Sequence, residues 1–321
     1  MHPSISVIIC THNPRRDYLH KVLDALKAQT LSTDSWELLL IDNASEQILA
    51  SEIDLSWHSN SRHIREETLG LTPARLRGVQ ESQADILVFV DDDNVLDADY
   101  LEITLQISQD FSLLGAWGGQ VKPEFEVPPP EWTRSYWNYL AIREFEQDQW
   151  SNLLHQYETT PCGAGLCVRK VIAEKYAYLV NTDPKRLGLD RKGNLLTSCG
   201  DSDLAFTACD VGFGTGQFTA LKLTHLMPAG RLDESYLVKL IEGMEYSHIL
   251  LESFRGKIPV LPPASWKRTV MEYYRLLRMN DRDRKFYQAR KRGFNSAIQV
   301  LAKAEHSNNP AATNKELEFG L

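Results

Sequence analysis

Asp91-Asp92-Asp93-Asn94 follows at once on the apolar run Ile86-Leu87-Val88-Phe89-Val90. Three adjacent carboxylates repel one another, so a fold carries them at the end of a buried strand mainly where a hard cation and an anionic ligand offset the charge. That chemistry is metal-assisted handling of a phosphate; the bland alternative is a solvated turn. A second acidic stretch, Gly200-Asp201-Ser202-Asp203, stands before the apolar Leu204-Ala205-Phe206 and reads as a helix start running to Gly212, where Asp201 and Asp203 serve as caps at the least. Pro161-Cys162-Gly163-Ala164-Gly165-Leu166 is a run of small residues at which backbone can approach a ligand closely.

The elements that must position these groups alternate. Ile5 to Cys10 is a largely β-branched run, as expected of a strand buried on both faces, and Thr11-His12-Asn13-Pro14 breaks it. Pro14 suits the first turn of a helix whose Tyr18, Leu19, Val22, Leu23 and Leu26 share one face. Trp36 to Ile41 repeats the strand pattern and ends at Asp42, and Thr72 to Gln83 reads as a helix leading to the strand before Asp91. This order predicts an α/β fold with a mostly parallel sheet, and ligands of such sheets gather beyond the carboxyl ends of the strands. Thr11 with Asn13, Asp42 and the Asp91 cluster fall there, although Asp42 is also a plausible strand-ending turn residue. After an amphipathic helix over 97–108, Val121 to Trp132 holds four prolines and is expected to be an extended excursion, neither helix nor central strand.

Composition narrows the function classes. The chain has 321 residues, 43% hydrophobic and 24% charged, with a net charge of -8, which speaks against a surface built to cover nucleic acid. Its five cysteines form no CxxC pair, so a reducing cytosol is the simplest setting. No apolar run approaches the ~18 to 20 residues of a membrane span, and the N-terminus lacks a signal-peptide pattern, so a protein neither secreted nor integral to a membrane is expected.

The succession ISVIICTHN, WELLLIDNAS, LTPARLRGV, ILVFVDDDN, PCGAGLCVRK, CGDSDLAF and LTHLMP resembles the family 2 glycosyltransferases, nucleotide-sugar enzymes of GT-A-type fold, over roughly residues 4–245. The resemblance implies that Thr11, Asn13 and Asp42 hold the nucleoside, that Arg75 and Asp92 belong to the donor site near the diphosphate, and that Asp91 and Asp93 form the metal-holding DxD. It further implies that His225 is a ligand to metal or diphosphate, a buried structural histidine being the alternative, and that Asp201 is the base. Gly200 stands where the family has glutamate and Leu76 where it has asparagine, and Asp203 remains an alternative base.

The residues support the same chemistry directly. A nucleoside diphosphate leaves readily once a divalent cation, Mn²⁺ or Mg²⁺, neutralises its developing charge, with Asp93 and Asp91 as the holders. An acceptor hydroxyl needs a carboxylate within hydrogen-bond reach, and one base without a nucleophilic partner fits inversion. Asp42, accepting from a uracil or thymine N3, favours UDP or dTDP donors over GDP. Repulsion within the cluster predicts that Asp93→Asn costs little stability. Trp132, Trp137 and Trp150 read as packing aromatics rather than a sugar platform. Two rival readings stand beside this one: an aspartyl-phosphate phosphatase, since Asp91 to Val95 satisfies DxDx(T/V), and a catalytically degenerate nucleotide-sugar-binding scaffold, motivated by Gly200.

The expected organisation is a Rossmann-like nucleotide-sugar half (1–122), an acceptor half of the same domain (123–255) and a helical basic extension (256–321) with a frayed tail from Asn308. Residues 265–303 carry eleven Lys or Arg against three acids. Apolar residues interleave with them, as in one or two basic amphipathic helices. Such helices either balance the acidic lobe or dock on the inner face of the cell membrane, which would suit a cytoplasmic enzyme of polysaccharide or glycolipid assembly with a sugar or lipid-linked acceptor.

Overall fold

The computed structural model of the protein describes residues 2–191, 196–259 and 265–308; the expected frayed tail falls almost wholly outside them. β1 (Ile5–Thr11), α1 (Arg16–Lys27), β2 (Trp36–Asn43), β3 (Ser61–Glu66), α2 (Leu71–Glu81) and β4 (Ile86–Asp91) come first. β5 (Asn94–Leu96), α3 (Tyr100–Asp110), β6 (Leu114–Phe125), β7 (Gln149–Ser151), β8 (Leu166–Arg169), α4 (Lys170–Thr182), α5 (Gly200–Asp210) and β9 (Gly214–Met227) follow. α6 (Glu234–Ser253), α7 (Trp266–Arg278) and α8 (Asp281–Asn308) close the chain.

One sheet runs in the order β3-β2-β1-β4-β8-β6-β9-β5, with β7 beside β9. β1 to β4 pair in parallel, as do β6 and β9, whereas β5, β7 and β8 pair antiparallel. Every residue of β1 and β2 is buried because helices cover both faces. Val7 and Ile9 pack with Leu19, Val22 and Leu26 of α1 on one side. Ile8 and Cys10 pack with Ala74 and Val79 of α2 on the other. This period of two follows from the alternation of side chains along a strand, and each fully buried Ile or Leu contributes about 1.5–3 kcal/mol. At Gly78 a Cβ would meet Ile8 Cγ2 at 2.4 Å, so α2 lies close on β1 and carries Arg75 to the strand ends.

The proline-rich stretch corrects in part the expectation of an extended excursion outside the sheet. Residues 121–125 continue β6, and Pro123 pairs in register with His225 of β9. Proline fits here because β8 borders β6 only at Ala116 and Trp117, so near Pro123 the ladder is one-sided apart from a bridge between Val121 and Arg143. β6 also crosses residue 122, so a single sheet draws strands from both halves of the catalytic region.

The basic C-terminal segment is two helices. α8 packs on α6 through buried Phe286, Ala289 and Ala297, and Phe286 stacks on Tyr136 with centroids 4.2 Å apart. Several of its cations pair with acids, Arg282 and Lys285 with Glu234, Arg292 with Glu242 and Lys291 with Glu272. No residue of α7 is buried. Among the described residues no helix is long and apolar enough to cross a membrane.

Candidate active site

The register of the parallel strands levels their ends: Thr11 lies beside Asp42, and Cys10 beside Asp91. Beyond them opens a cavity of about 500 Å³, whose walls include Thr11, Asn43, Arg75, Asp91 to Asp93, Gly163, Asp190, Asp201, His225 and Arg231. Thus Thr11, Arg75, Asp91, Asp92, Asp93, Asp201 and His225 are gathered in one place.

Asn13 and Asp42 are not among the residues lining this cavity. Asp42 is buried, and its carboxylate accepts from the N–H groups of Ser45 and Leu49, each at 3.1 Å, and from Arg65 at 2.8 Å. Burial opposes that charge, yet the bonds from Ser45, Leu49 and Arg65 hold the carboxyl below the usual range. Asn13, at φ 48, accepts from the Glu46 N–H at 2.8 Å, and its own N–H donates to Ser45 Oγ at 2.9 Å. Both residues therefore stitch the loops after β1 and β2 into a rim. Asn43, which no motif marked, faces inward and accepts from the Gly70 N–H at 2.9 Å while donating to the Thr68 carbonyl at 2.7 Å. Gly70, the N-cap of α2, sits at φ 143, where a side chain would be strained.

The Asp91 cluster carries its repulsion unevenly. Thr11 donates its hydroxyl to Asp92. Burial, aided by the neighbouring Asp93 charge, pushes Asp92 up to about 7. Asp93 goes the other way: burial opposes its charge, but His225 and Arg231 hold it well below the carboxylate range. Arg231 Nη2 donates to Asp93 Oδ2 at 2.8 Å, Arg231 Nη1 meets His225 Nε2 at 2.9 Å, and His225 Nε2 lies 3.4 Å from Asp93 Oδ2. Two of the three side chains expected to hold a metal, Asp93 and His225, thus already converge on one cation, a guanidinium. His225 Nδ1 is buried without a partner. Among the described residues no three His, Cys, Asp or Glu gather as a metal group. Asp93 and Asp91 fit a cation that takes its remaining ligands from substrate phosphates, the usual habit of Mg²⁺. Arg231 was not legible in sequence, for its only signal is an arginine six residues past His225.

Asp201 stands in the first turn of α5. Its Oδ2 accepts from the Gly163 N–H at 2.7 Å and its Oδ1 from the Ser202 N–H at 2.7 Å. A second cavity of about 340 Å³, bordered by Arg143, Tyr157, Glu245 and His248, shares Tyr139, Ala141, Ser198 and Asp201 with the first. Among the described residues Asp201 is the one carboxylate common to both walls. Asp203 has no exposure and is gripped by Arg186 at 2.5 and 2.7 Å and by Arg255 at 2.7 Å, so it is closed to substrate. Trp132 and Trp137 pack in the cluster around Leu140 and Met227, while Trp150 is exposed beside Phe111.

This arrangement has known counterparts. The sequence profile described as glycosyl transferase family 2 matches residues 6–169. Glycosyltransferase AglE of Haloferax volcanii is 31% identical over 94 residues, 28% of this chain and 31% of that protein. The glucosyl-dolichyl phosphate glucuronosyltransferase of the same organism is 23% identical over 138 residues, 41% of this chain and 44% of its own. The matched stretches thus span less than half of these relatives. Among solved structures, S. aureus TarS 1-349 in complex with UDP-GlcNAc superposes with a TM-score of 0.52 at 13% identity, covering 89% of this chain and 79% of that one, a likeness of fold. With a sheet of GT-A type and the profile covering half of its length, this chain belongs to glycosyl transferase family 2.

Proposed function

We propose that the chain moves a sugar from a nucleoside diphosphate donor to a hydroxyl acceptor with inversion at the anomeric carbon. The observation that carries this reading is the place of Asp201, alone among the carboxylates of the described residues in bordering both the large cavity and its smaller neighbour. The donor would occupy the first, with Thr11 and Asn43 at the nucleoside end and the buried guanidinium of Arg75, with that of Arg231, toward the diphosphate. Asp91 and Asp93, with His225, would hold Mn²⁺ or Mg²⁺, which when bound stabilises the leaving diphosphate as a Lewis acid. The acceptor hydroxyl, in the second cavity, passes its proton to the Asp201 carboxylate as its oxygen bonds to the anomeric carbon and the bond to the diphosphate breaks. No second carboxylate stands by as nucleophile among the described residues lining the smaller cavity except Glu245.

Because Asp42 is engaged internally, the preference for UDP or dTDP over GDP now leans on the UDP-GlcNAc bound by a structural neighbour. Thermal-shift measurements against UDP, dTDP, GDP and CMP, with and without Mn²⁺ or Mg²⁺, test the reading. A ligand at ~100 times its Kd adds ~2.7 kcal/mol to stability. The expected outcome is a metal-dependent shift with UDP, and no shift with any nucleotide would overturn the proposal.

The acceptor is proposed to be lipid-linked, in polysaccharide or glycolipid assembly at the cytoplasmic face of a membrane. Trp266, Val270, Tyr273 and Leu277 recur at helical spacing along α7 and are all more than half exposed, while Lys267, Arg275 and Arg278 stand on its other sides. This pattern fits the surface of an anionic bilayer. The name of one relative, a glucosyl-dolichyl phosphate glucuronosyltransferase, points the same way. The full chain should cosediment with anionic but not neutral vesicles and be released by salt, whereas Trp266→Ala with Leu277→Ala should not bind. Equal recovery on neutral vesicles would sink the membrane role.

A further inference from the structure

Asp190 is a carboxylate of the cavity that no sequence motif marked and to which no role has yet been given. It is 4% exposed, and its acceptor capacity is spent across three segments. Oδ1 accepts from the Gly200 N–H at 3.2 Å; Oδ2 accepts from the Thr72 hydroxyl at 3.0 Å and from Arg75 Nη1 at 3.1 Å. Its carbonyl accepts from Thr197 Oγ1 at 2.6 Å. A buried carboxylate stays charged only when paired and hydrogen-bonded in this way. Burial pushes Asp190 upward, and Arg75 pulls it back.

The space this carboxylate fills belongs to residue 200. A Cβ on Gly200 would lie 2.2 Å from Asp190 Oδ2 and 2.4 Å from its Cγ, so a side chain at 200 and the carboxylate of Asp190 exclude each other. Residue 200 is also where the resembling family carries glutamate. Beside this pair, Arg75 reaches toward Asp201: the point where a Cβ on Gly163 would sit is 2.7 Å from Arg75 Nη2 and 3.3 Å from Asp201 Oδ2. Arg75 and Asp201 therefore share one corner of the cavity.

We infer that Asp190 is a positioning residue that does from the segment before α5 what a side chain at residue 200 would otherwise do. It holds Arg75 by Nη1 and ties down the first turn of α5, so that the guanidinium faces the donor and does not close a two-pronged pair with Asp201. This inference rests on the proposed function, in which Asp201 must keep an oxygen free for the acceptor proton.

The test is a reciprocal exchange. Asp190→Ala, Asp190→Asn, Gly200→Glu and the double variant Asp190→Ala with Gly200→Glu are compared by melting temperature and by nucleoside diphosphate release. The substrate is whichever of the UDP-, dTDP- and GDP-hexoses the unaltered chain turns over fastest. Misplacing a catalytic group by an ångström costs on the order of 10²-fold. Asp190→Ala, and Asp190→Asn where the alanine variant fails to fold, should lose about that much in kcat with a smaller change in donor KM. Gly200→Glu alone should be as poor, since two carboxylates then compete for one space. The double variant should recover to within about tenfold of the unaltered chain. An Asp190→Asn protein of undiminished kcat, or a folded double variant no faster than Asp190→Ala, overturns the inference. If the unaltered chain releases nucleotide from none of the donors, the proposed function falls instead. The melting temperatures then decide the exchange: each single change should lower them and the pair should restore them, and additive losses would overturn it.

Discussion

Two acidic runs border the cavity, and they spend their carboxylates differently. In Asp91-Asp92-Asp93 the chain turns between β4 and β5, no helical period separates neighbours, and all three side chains line the same wall. In Gly200-Asp201-Ser202-Asp203 the chain is helical, and residues two apart point about 200° from each other. Asp201 accordingly faces the cavities while Asp203 is turned into the core under Arg186 and Arg255. Runs of similar composition thus yield a shared cluster at a strand end and a division of labour at a helix start.

The largest effect is expected at Asp201. Asp201→Asn should keep nucleotide binding and melting temperature and lose roughly 10²- to 10⁴-fold in transfer rate; a rate within tenfold of the unaltered chain would end its role as base. Asp203→Asn should do the reverse. It leaves two buried guanidinium groups short of a counter-charge, so a stability loss of roughly 3–5 kcal/mol is expected in denaturant titration, with near-normal turnover per folded molecule. A stable but inactive Asp203→Asn would exchange the roles.

Within the other run the contrasts are finer. Asp93→Asn should abolish metal-dependent binding of UDP in calorimetry. The pairing with Arg231 also revises the expectation from repulsion alone: this change should lower the melting temperature, because the partly buried guanidinium of Arg231 loses its partner. Asp92→Asn should raise it by a small margin. With a folded pKa of about 7 against an ordinary 3.8, Asp92 disfavours the fold wherever the unfolded chain ionises it and the folded chain does not, so its unfavourable effect is small near pH 4, grows between about pH 4 and 7, and is fully present above 7. Melting curves without metal should therefore separate Asp92→Asn from the unaltered chain at pH 8 and coincide near pH 4.

The sequence made much of this visible. β1, β2 and β4 are legible because burial on both faces demands unbroken apolar runs, and their polar ends mark the cavity. The end of β6 was hidden by the proline-rich stretch it enters; Pro123 is tolerable only because that part of the strand is nearly unpaired on one side. Asp190 lies in no patterned segment, and its importance arises from contacts with Thr72 and Arg75, more than a hundred residues earlier. α7 and α8 looked alike as basic amphipathic stretches. Periodicity identifies an apolar face but does not say whether a partner such as α6 waits for it.

The sheet order has a consequence for how the chain folds. Every carboxylate of the Asp91 run is made within the first hundred residues, yet the turn that holds it hangs between β4 and β5. β4 gains its outer neighbour only with β8, and β5 pairs with Leu223 to His225, about 130 residues later. Closing loops of that length before their contacts form is slow. On the ribosome the acidic turn therefore waits for most of the chain, and a fragment ending at residue 122 should lack an ordered donor pocket despite containing its strand-end residues.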